Sequence, residues 1–265
     1  MKISVVIAIH NDAKYLPYAL KPLQTSPIYE FIFVLDRCTD NSEEIARKFA
    51  AKTRAKCKIV IKTFQKGLNP AFESLDFGAQ SATGDFIYYV GADIAVDTKI
   101  FNVENWKDRR ALKFRYYNYN LFGSKIPYAY ERVLIKLSEK LGSKVGQCFV
   151  EAFRKDFWKE FWTECPPENL EGFYKNPKLT LKYILSQNDK KTFTNLTTTE
   201  CLHLRPKLTR GQQLLQGIAR YLLNYPFPKV LLHSILYFKI YVLIGYLQAK
   251  HGLYGDLTEL AKNET

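Results

Sequence analysis

Several things are scarce in this chain of 265 residues. Histidine occurs four times, cysteine five times and methionine once. Cysteines 38, 57, 148, 165 and 201 are odd in number and widely spaced, and no CxxC pair occurs, which argues against a disulfide framework and a zinc ribbon and suits a reducing cytosol. No GxGxxG follows the first apolar run and no GxxxxGK[ST] occurs, so a dinucleotide fold and a P-loop lose their main sequence support. Carboxylates are also in short supply: 26 Asp and Glu against 39 Lys and Arg leave a net charge of +13. With 47% apolar and 15% aromatic residues, the composition excludes a disordered chain and points to a sizeable core. The surplus of positive charge asks for an anionic partner: nucleic acid, an anionic membrane or the phosphates of a small substrate.

What is present begins with alternation. Strand-like runs at Ile3 to Ile9, Phe31 to Leu35, Lys58 to Thr63 and Phe86 to Val90 are separated by helix-like segments at Lys14 to Gln24, Ser42 to Arg54 and Pro70 to Ala82. That pattern predicts a βαβαβαβ series, a sheet with helices on both faces. The opening MKISVVIAIHND has only a short apolar run before His10 and reads as the first strand, not as a leader peptide. Further strand-like runs follow at Leu112 to Tyr117, Gln147 to Phe153 and Thr199 to Leu204, and residues 206–265 form a helix-rich zone.

The chemistry-bearing residues sit where strands end. Asp36 directly follows FIFVL, at the carboxyl edge where open α/β sheets bind ligands, and reads as a ligand group. Asp40, three residues before Glu43, reads as a helix cap. Asp93, after FIYYVGA and ahead of Asp97, suits an oxygen-loving divalent ion; a plain strand-ending turn explains the same residues equally well.

Taken in order, Ser4-Val-Val-Ile-Ala-Ile-His-Asn11, Phe33-Val-Leu-Asp-Arg-Cys-Thr-Asp-Asn-Ser42, Ala79-Gln-Ser-Ala-Thr-Gly-Asp-Phe-Ile87 and Gly91-Ala-Asp93 resemble glycosyltransferase family 2. The resemblance covers about the first hundred residues. It implies a GT-A fold: α/β, Rossmann-like, a mixed sheet with helices on both faces, here over residues 1–205, with a C-terminal helical appendage over 206–265. It implies that Ala8, His10 and Asn11 line the nucleotide base, that Asp36 binds that base, usually uracil, and that Lys66 and Gly67 lie beside the donor. Asp93 takes the place of the last Asp of the family's DxD and would hold Mg²⁺ or Mn²⁺ on the donor diphosphate. Gly91 stands where the first Asp would be, which weakens that expectation. His203 resembles the late histidine that joins the metal or the phosphates, and Arg205, in an H-x-R, would fork onto phosphate. A lone His on a strand is also an ordinary core residue.

The family's general base would fall in Pro166-Pro-Glu-Asn-Leu-Glu-Gly172, where both Glu168 and Glu171 are available and spacing favours Glu171. The activity implied is an inverting hexosyl transfer from a nucleotide sugar, UDP-linked, to a lipid-linked or other glycan acceptor. The competing reading is a non-catalytic GT-A-like module that binds a nucleotide sugar or scaffolds a membrane assembly.

The C-terminal zone holds the most apolar segment, Val230 to Gln248, 19 residues long. Read as one helix, it nearly matches a bilayer core of about 30 Å. Lys239 at its middle opposes a span by about 2.5–3.5 kcal/mol. At about 100° per residue, Lys229, His233, Lys239 and Lys250 share one side, which suits a helix lying in an anionic membrane interface at the cytosolic face. Packing on the catalytic domain, or pairing in a dimer, is the alternative. Gly211 to Tyr225 is similarly two-faced. Nucleic acid ranks last, because residues 99–160 carry 14 Lys and Arg against 7 acids without a tight run or an aromatic RNA-binding motif.

Overall fold

In the parallel part of the sheet, the three inner strands are buried on both faces, and their mostly apolar sequence follows from that. The computed structural model describes residues 1–65, 70–140, 150–157, 193–205, 210–222 and 224–253. Residue–residue contacts divide the chain into two compact units: residues 1–168 with 188–206, and residues 169–187 with 207–265.

The first unit is built on β1 (Ile3–Ile9), β2 (Glu30–Asp36), β3 (Lys56–Lys62), β4 (Phe86–Gly91), β5 (Ile94–Ala95), β6 (Ala111–Asn118), β7 (Val150–Arg154) and β8 (Phe193–His203). They form one sheet in the order β3-β2-β1-β4-β7-β6-β8-β5. β1, β2, β3 and β4 are mutually parallel, with Ile9 opposite Leu35 and Ala8 opposite both Val34 and Gly91. β7 runs antiparallel to β4 and β6, β8 parallel to β6, and the short β5 antiparallel to β8. The sheet is therefore mixed.

Strand parity sorts the core. Val5, Ile7, Phe31, Phe33 and Tyr88 pack on one face with Leu16 and Leu20 of α1 (Leu16–Leu20) and Ala46 and Phe49 of α2 (Ser42–Lys52). Val6, Ile32, Val34 and Tyr89 pack on the other with Ala79 of α3 (Pro70–Ala79). Pro70 opens α3 at the first helical position, where its missing N–H goes unneeded. α1 gives way after five residues to a 3₁₀ turn, Lys21–Leu23, where the sequence suggested a longer helix. A fourth helix, α4 (Ile126–Lys140), lies in a stretch where alternation gave no clear signal.

The second unit contains α5 (Arg210–Leu222), α6 (Phe227–Leu236) and α7 (Ile240–Lys250). The run from Val230 to Gln248 is thus two helices, not one, and Lys239 at the break is 7% exposed. The lysine side drawn along a continuous helix does not exist in that form. No helix among the described residues is long and apolar enough to cross a membrane.

α5 and α7 approach through paired glycines. A Cβ on Gly217 would collide with the Val242 carbonyl oxygen, and one on Gly245 with that of Leu214. Tyr246 seals the contact, packing on Tyr221 and donating from its hydroxyl to the Tyr225 carbonyl at 2.8 Å. In an exposed helix Gly→Ala gains about 1 kcal/mol. Gly245→Ala is expected to lose stability by about 1–3 kcal/mol through overpacking, read as faster amide hydrogen exchange over residues 210–222 and 240–250. Unchanged or slower exchange contradicts the close approach.

Candidate functional site

Chain order in the sheet reverses at β1: β2 and β3 lie on one side of it, β4 on the other. In open α/β sheets the crevice beyond the carboxyl ends at such a reversal is where ligands bind. The ends of β1, β2 and β4 and the loops leaving them carry His10, Asn11 and Asp12, then Asp36 and Arg37, then Asp93. Asn11 and Arg37 both hold positive φ, 52° and 50°, so each chain turns sharply on leaving its strand.

β8 delivers the remaining residues. His203 lies opposite Ile94, and the Leu204 N–H donates to the Asp93 carbonyl at 2.8 Å, so the end of β8 is pinned alongside Asp93. His203 Nε2 then stands 3.1 Å from Asp93 Oδ2, and Arg205 Nε stands 2.7 Å from the same oxygen. The Arg205 guanidinium also pairs with Asp12 Oδ1. Asp12 is held from two directions, accepting the His10 N–H on Oδ2 at 3.0 Å and donating its own N–H to Ser42 Oγ at 2.8 Å. The result is a cluster of two carboxylates, a guanidinium and an imidazole at the β1/β4 reversal. The Asp12 side chain is 6% exposed and that of Arg205 41%, so the carboxylate is sheltered while the cation faces outward. Burial draws the Arg205 ionisation below its usual range, yet a guanidinium stays charged at any working pH.

Asp36 has a different setting. Its carboxylate accepts from Arg37 Nε at 2.8 Å and Ser74 Oγ at 2.9 Å, with Lys62 Nζ at 3.3 Å. Lys62 is fully buried, lies 3.5 Å from Glu73 and donates to the Phe64 carbonyl. Two buried carboxylates thus share one buried ammonium. The Asp36 backbone carbonyl accepts from His10 Nδ1 at 2.6 Å, which places the ring proton on Nδ1 and leaves Nε2 as the acceptor. Asp36 reaches the crevice through its backbone and through Arg37, while its carboxylate anchors the strand end.

Asn11 Oδ1 accepts from the N–H and hydroxyl of Thr39 at 2.8 and 3.2 Å, tying the β1 and β2 loops together. The N-cap of α2 is Asn41, not Asp40, which stands one residue earlier and accepts the Ser42 N–H at 3.0 Å and the Ala13 N–H at 2.9 Å. Asp97 accepts from Lys99 N and Glu200 N, at 3.0 and 3.1 Å. Ala8 sits in register with Gly91 at the reversal. Lys66, Gly67, Glu168 and Glu171 lie outside the described residues.

Sequence reasoning passed over Asp12, Arg37, Lys62 and an aromatic group beside Arg205. Tyr15 lies under the Arg205 guanidinium at 5.5 Å and packs on Phe122, which also meets Tyr18 and the Lys14 ammonium. Phe122 and Tyr18 are 51% and 47% exposed. Asp12 was legible as the third residue of His-Asn-Asp after β1; Phe122, far along the chain, carried no local signal.

Asp93 and His203 are donor types that a divalent ion accepts, with Arg205 Nε already 2.7 Å from Asp93 Oδ2. Asp93 offers oxygen and His203 nitrogen, and a Cβ at Gly91 would stand 2.9 Å from Asp93 Oδ1, in space the glycine leaves clear. Two protein ligands are enough for a cation that completes its shell with water and phosphate. No group of three or more such ligands occurs among the described residues.

Burial tends to raise the Asp36 ionisation, but the Arg37 and Ser74 hydrogen bonds and the Lys62 charge outweigh it and hold the carboxyl below its usual value. A carboxyl depressed by folding adds stability above its unfolded value of about 3.9, and that stability is lost as pH falls toward the folded value. Stability of the wild type is expected to fall as pH drops below about 4. Asp36→Asn should be less stable at neutral pH and lose less over the same acid interval, as measured by urea denaturation. Parallel losses would remove Asp36 from the linkage.

Residues 4–123 match the family described as glycosyl transferase family 2. An uncharacterized glycosyltransferase of Nostoc sp. is 34% identical over 95 residues, which are 35% of this chain and 28% of that protein. The match thus spans little more than a quarter of that relative. Among solved structures, S. aureus TarS, residues 1–349, superposes with a TM-score of 0.50 at 16% identity, covering 95% of this chain and 72% of that one. The same TarS fragment in complex with UDP gives 0.50 and 16%, over 83% and 64%. The chain therefore has a GT-A fold, and its residues 4–123 are similar in sequence to glycosyl transferase family 2.

Proposed function

We propose that this protein transfers a hexose from a nucleotide sugar, UDP-linked, to a hydroxyl of a lipid-linked or other glycan acceptor, with inversion. The observation that carries the reading is the joining of Asp93, His203, Arg205 and Asp12 at the β1/β4 reversal, in a chain whose residues 4–123 match the family. The UDP held by TarS supports the choice of nucleotide.

His10, Asn11 and Ala8 line the base, with Arg37 and the Asp36 carbonyl at its edge. Arg205 offers its guanidinium to the diphosphate and draws on Asp12 to stay in place. Lys66 and Gly67 are assigned beside the donor. Asp93 and His203 would hold Mg²⁺ or Mn²⁺. When bound, such an ion neutralises charge on the departing diphosphate. Glu171, or Glu168 in its stead, takes the proton of the acceptor hydroxyl as it attacks the anomeric carbon opposite the leaving group. The guanidinium, already oriented, stabilises charge where it develops without reorganising.

The protein is proposed to work at the cytosolic face of a membrane, without nucleic acid. Gly91, in place of a first DxD carboxylate, favours a second reading as a nucleotide-sugar-binding module without turnover. Asp93→Ala separates the two. It should lower donor turnover at least about 100-fold, an effect of the size seen on losing one electrostatic stabiliser, with the thermal unfolding midpoint little changed. Turnover equal to wild type removes the role of Asp93, and a wild type that binds UDP-sugars but turns over none supports the module.

A further inference from the structure

The elbow between α6 and α7 exposes apolar side chains in a run. Leu232 and Ile235, three apart on α6, are 58% and 61% exposed; Ile240 and Ile244, four apart on α7, are 54% and 37% exposed. Between them Phe238 is 73% exposed.

The backbone there is strained. The Lys239 N–H donates to the Ser234 carbonyl at 2.9 Å and Phe238 has a φ of 52°, the pattern of a Schellman end. Glycine or asparagine normally fills that left-handed position, and a side chain with a Cβ costs about 1–2 kcal/mol. Here a phenylalanine fills it, and most of its surface is exposed.

Charge identifies what the elbow meets. From residue 207 to 253 there is no Asp or Glu, whereas Lys207, Arg210, Arg220, Lys229, Lys239 and Lys250 are all cationic. Lys229, near the start of α6, and Lys250, at the end of α7, are exposed. Over residues 207–265 seven Lys and Arg stand against Asp256, Glu259 and Glu264, a surplus that disfavours a second copy of the unit. An anionic lipid surface offers hydrocarbon to the leucine, isoleucines and phenylalanine and headgroup phosphates to the flanking lysines. We infer that the α6–α7 elbow docks on anionic lipid, with Phe238 as its inserting tip.

This deepens the membrane-peripheral part of the proposed function, and its test uses no sugar donor. A failure of lipid binding therefore leaves transfer chemistry standing, and a failure of turnover leaves the elbow standing. The full chain is mixed with vesicles of phosphatidylcholine alone or with phosphatidylglycerol added. Co-sedimentation is expected only with the anionic vesicles and should decline with salt. Phe238→Trp should shift its emission to the blue on binding. Phe238→Gly relieves the strain and should be at least as stable as wild type while partitioning about tenfold less. Ile235→Ser should also weaken partitioning, with helical circular dichroism unchanged. Partitioning unaffected by Phe238→Gly and Ile235→Ser, equal binding to neutral vesicles, or a solution dimer that these changes dissolve would each overturn the inference.

Discussion

Arg205 lets two carboxylates stand together at the ends of β1 and β4. Asp12 and Asp93 leave parallel strands that are neighbours in the sheet, and without a cation between them their charges would oppose each other at the mouth of the crevice. The guanidinium comes from far along the chain, two residues beyond β8, where the Leu204 N–H fixes the segment to Asp93 by a backbone hydrogen bond. The same group that balances the carboxylates remains partly exposed, which is why phosphate is proposed to bind in this crevice. Everything assigned to the site depends on this late strand reaching the early loops.

The early loops are prepared for it by buried charge. Lys62 sits in the core between Asp36 and Glu73, and a lysine so placed is tolerable only because carboxylates and a carbonyl surround it. This anchoring frees Arg37 and the Asp36 carbonyl to shape the rim of the crevice. A carboxylate read from its position as a ligand for the base thus has a second duty that position alone does not reveal.

The inner parallel strands were legible because burial on both faces leaves long β-branched and aromatic runs, and β1 is found where Ile3 to Ile9 placed it. Asp93, His203 and Arg205 were legible singly, from strand ends and family resemblance. Their meeting was not, since pairing between β5 and β8 depends on tertiary register. The C-terminal apolar run misled for a local reason: its composition is helical throughout, and the break lies at Phe238, a residue type that seldom adopts positive φ. Gly217 and Gly245, unremarkable in sequence, let α5 and α7 approach closely.

The central claim is that the Asp93, His203 and Arg205 cluster receives a nucleoside diphosphate. Isothermal titration of UDP into the protein, with and without Mn²⁺, tests it most directly in wild type and His203→Ala. The account predicts binding to the wild type that Mn²⁺ tightens, and a loss of most of that tightening in His203→Ala. Equal tightening in both proteins, or no UDP binding by the wild type under either condition, would contradict it.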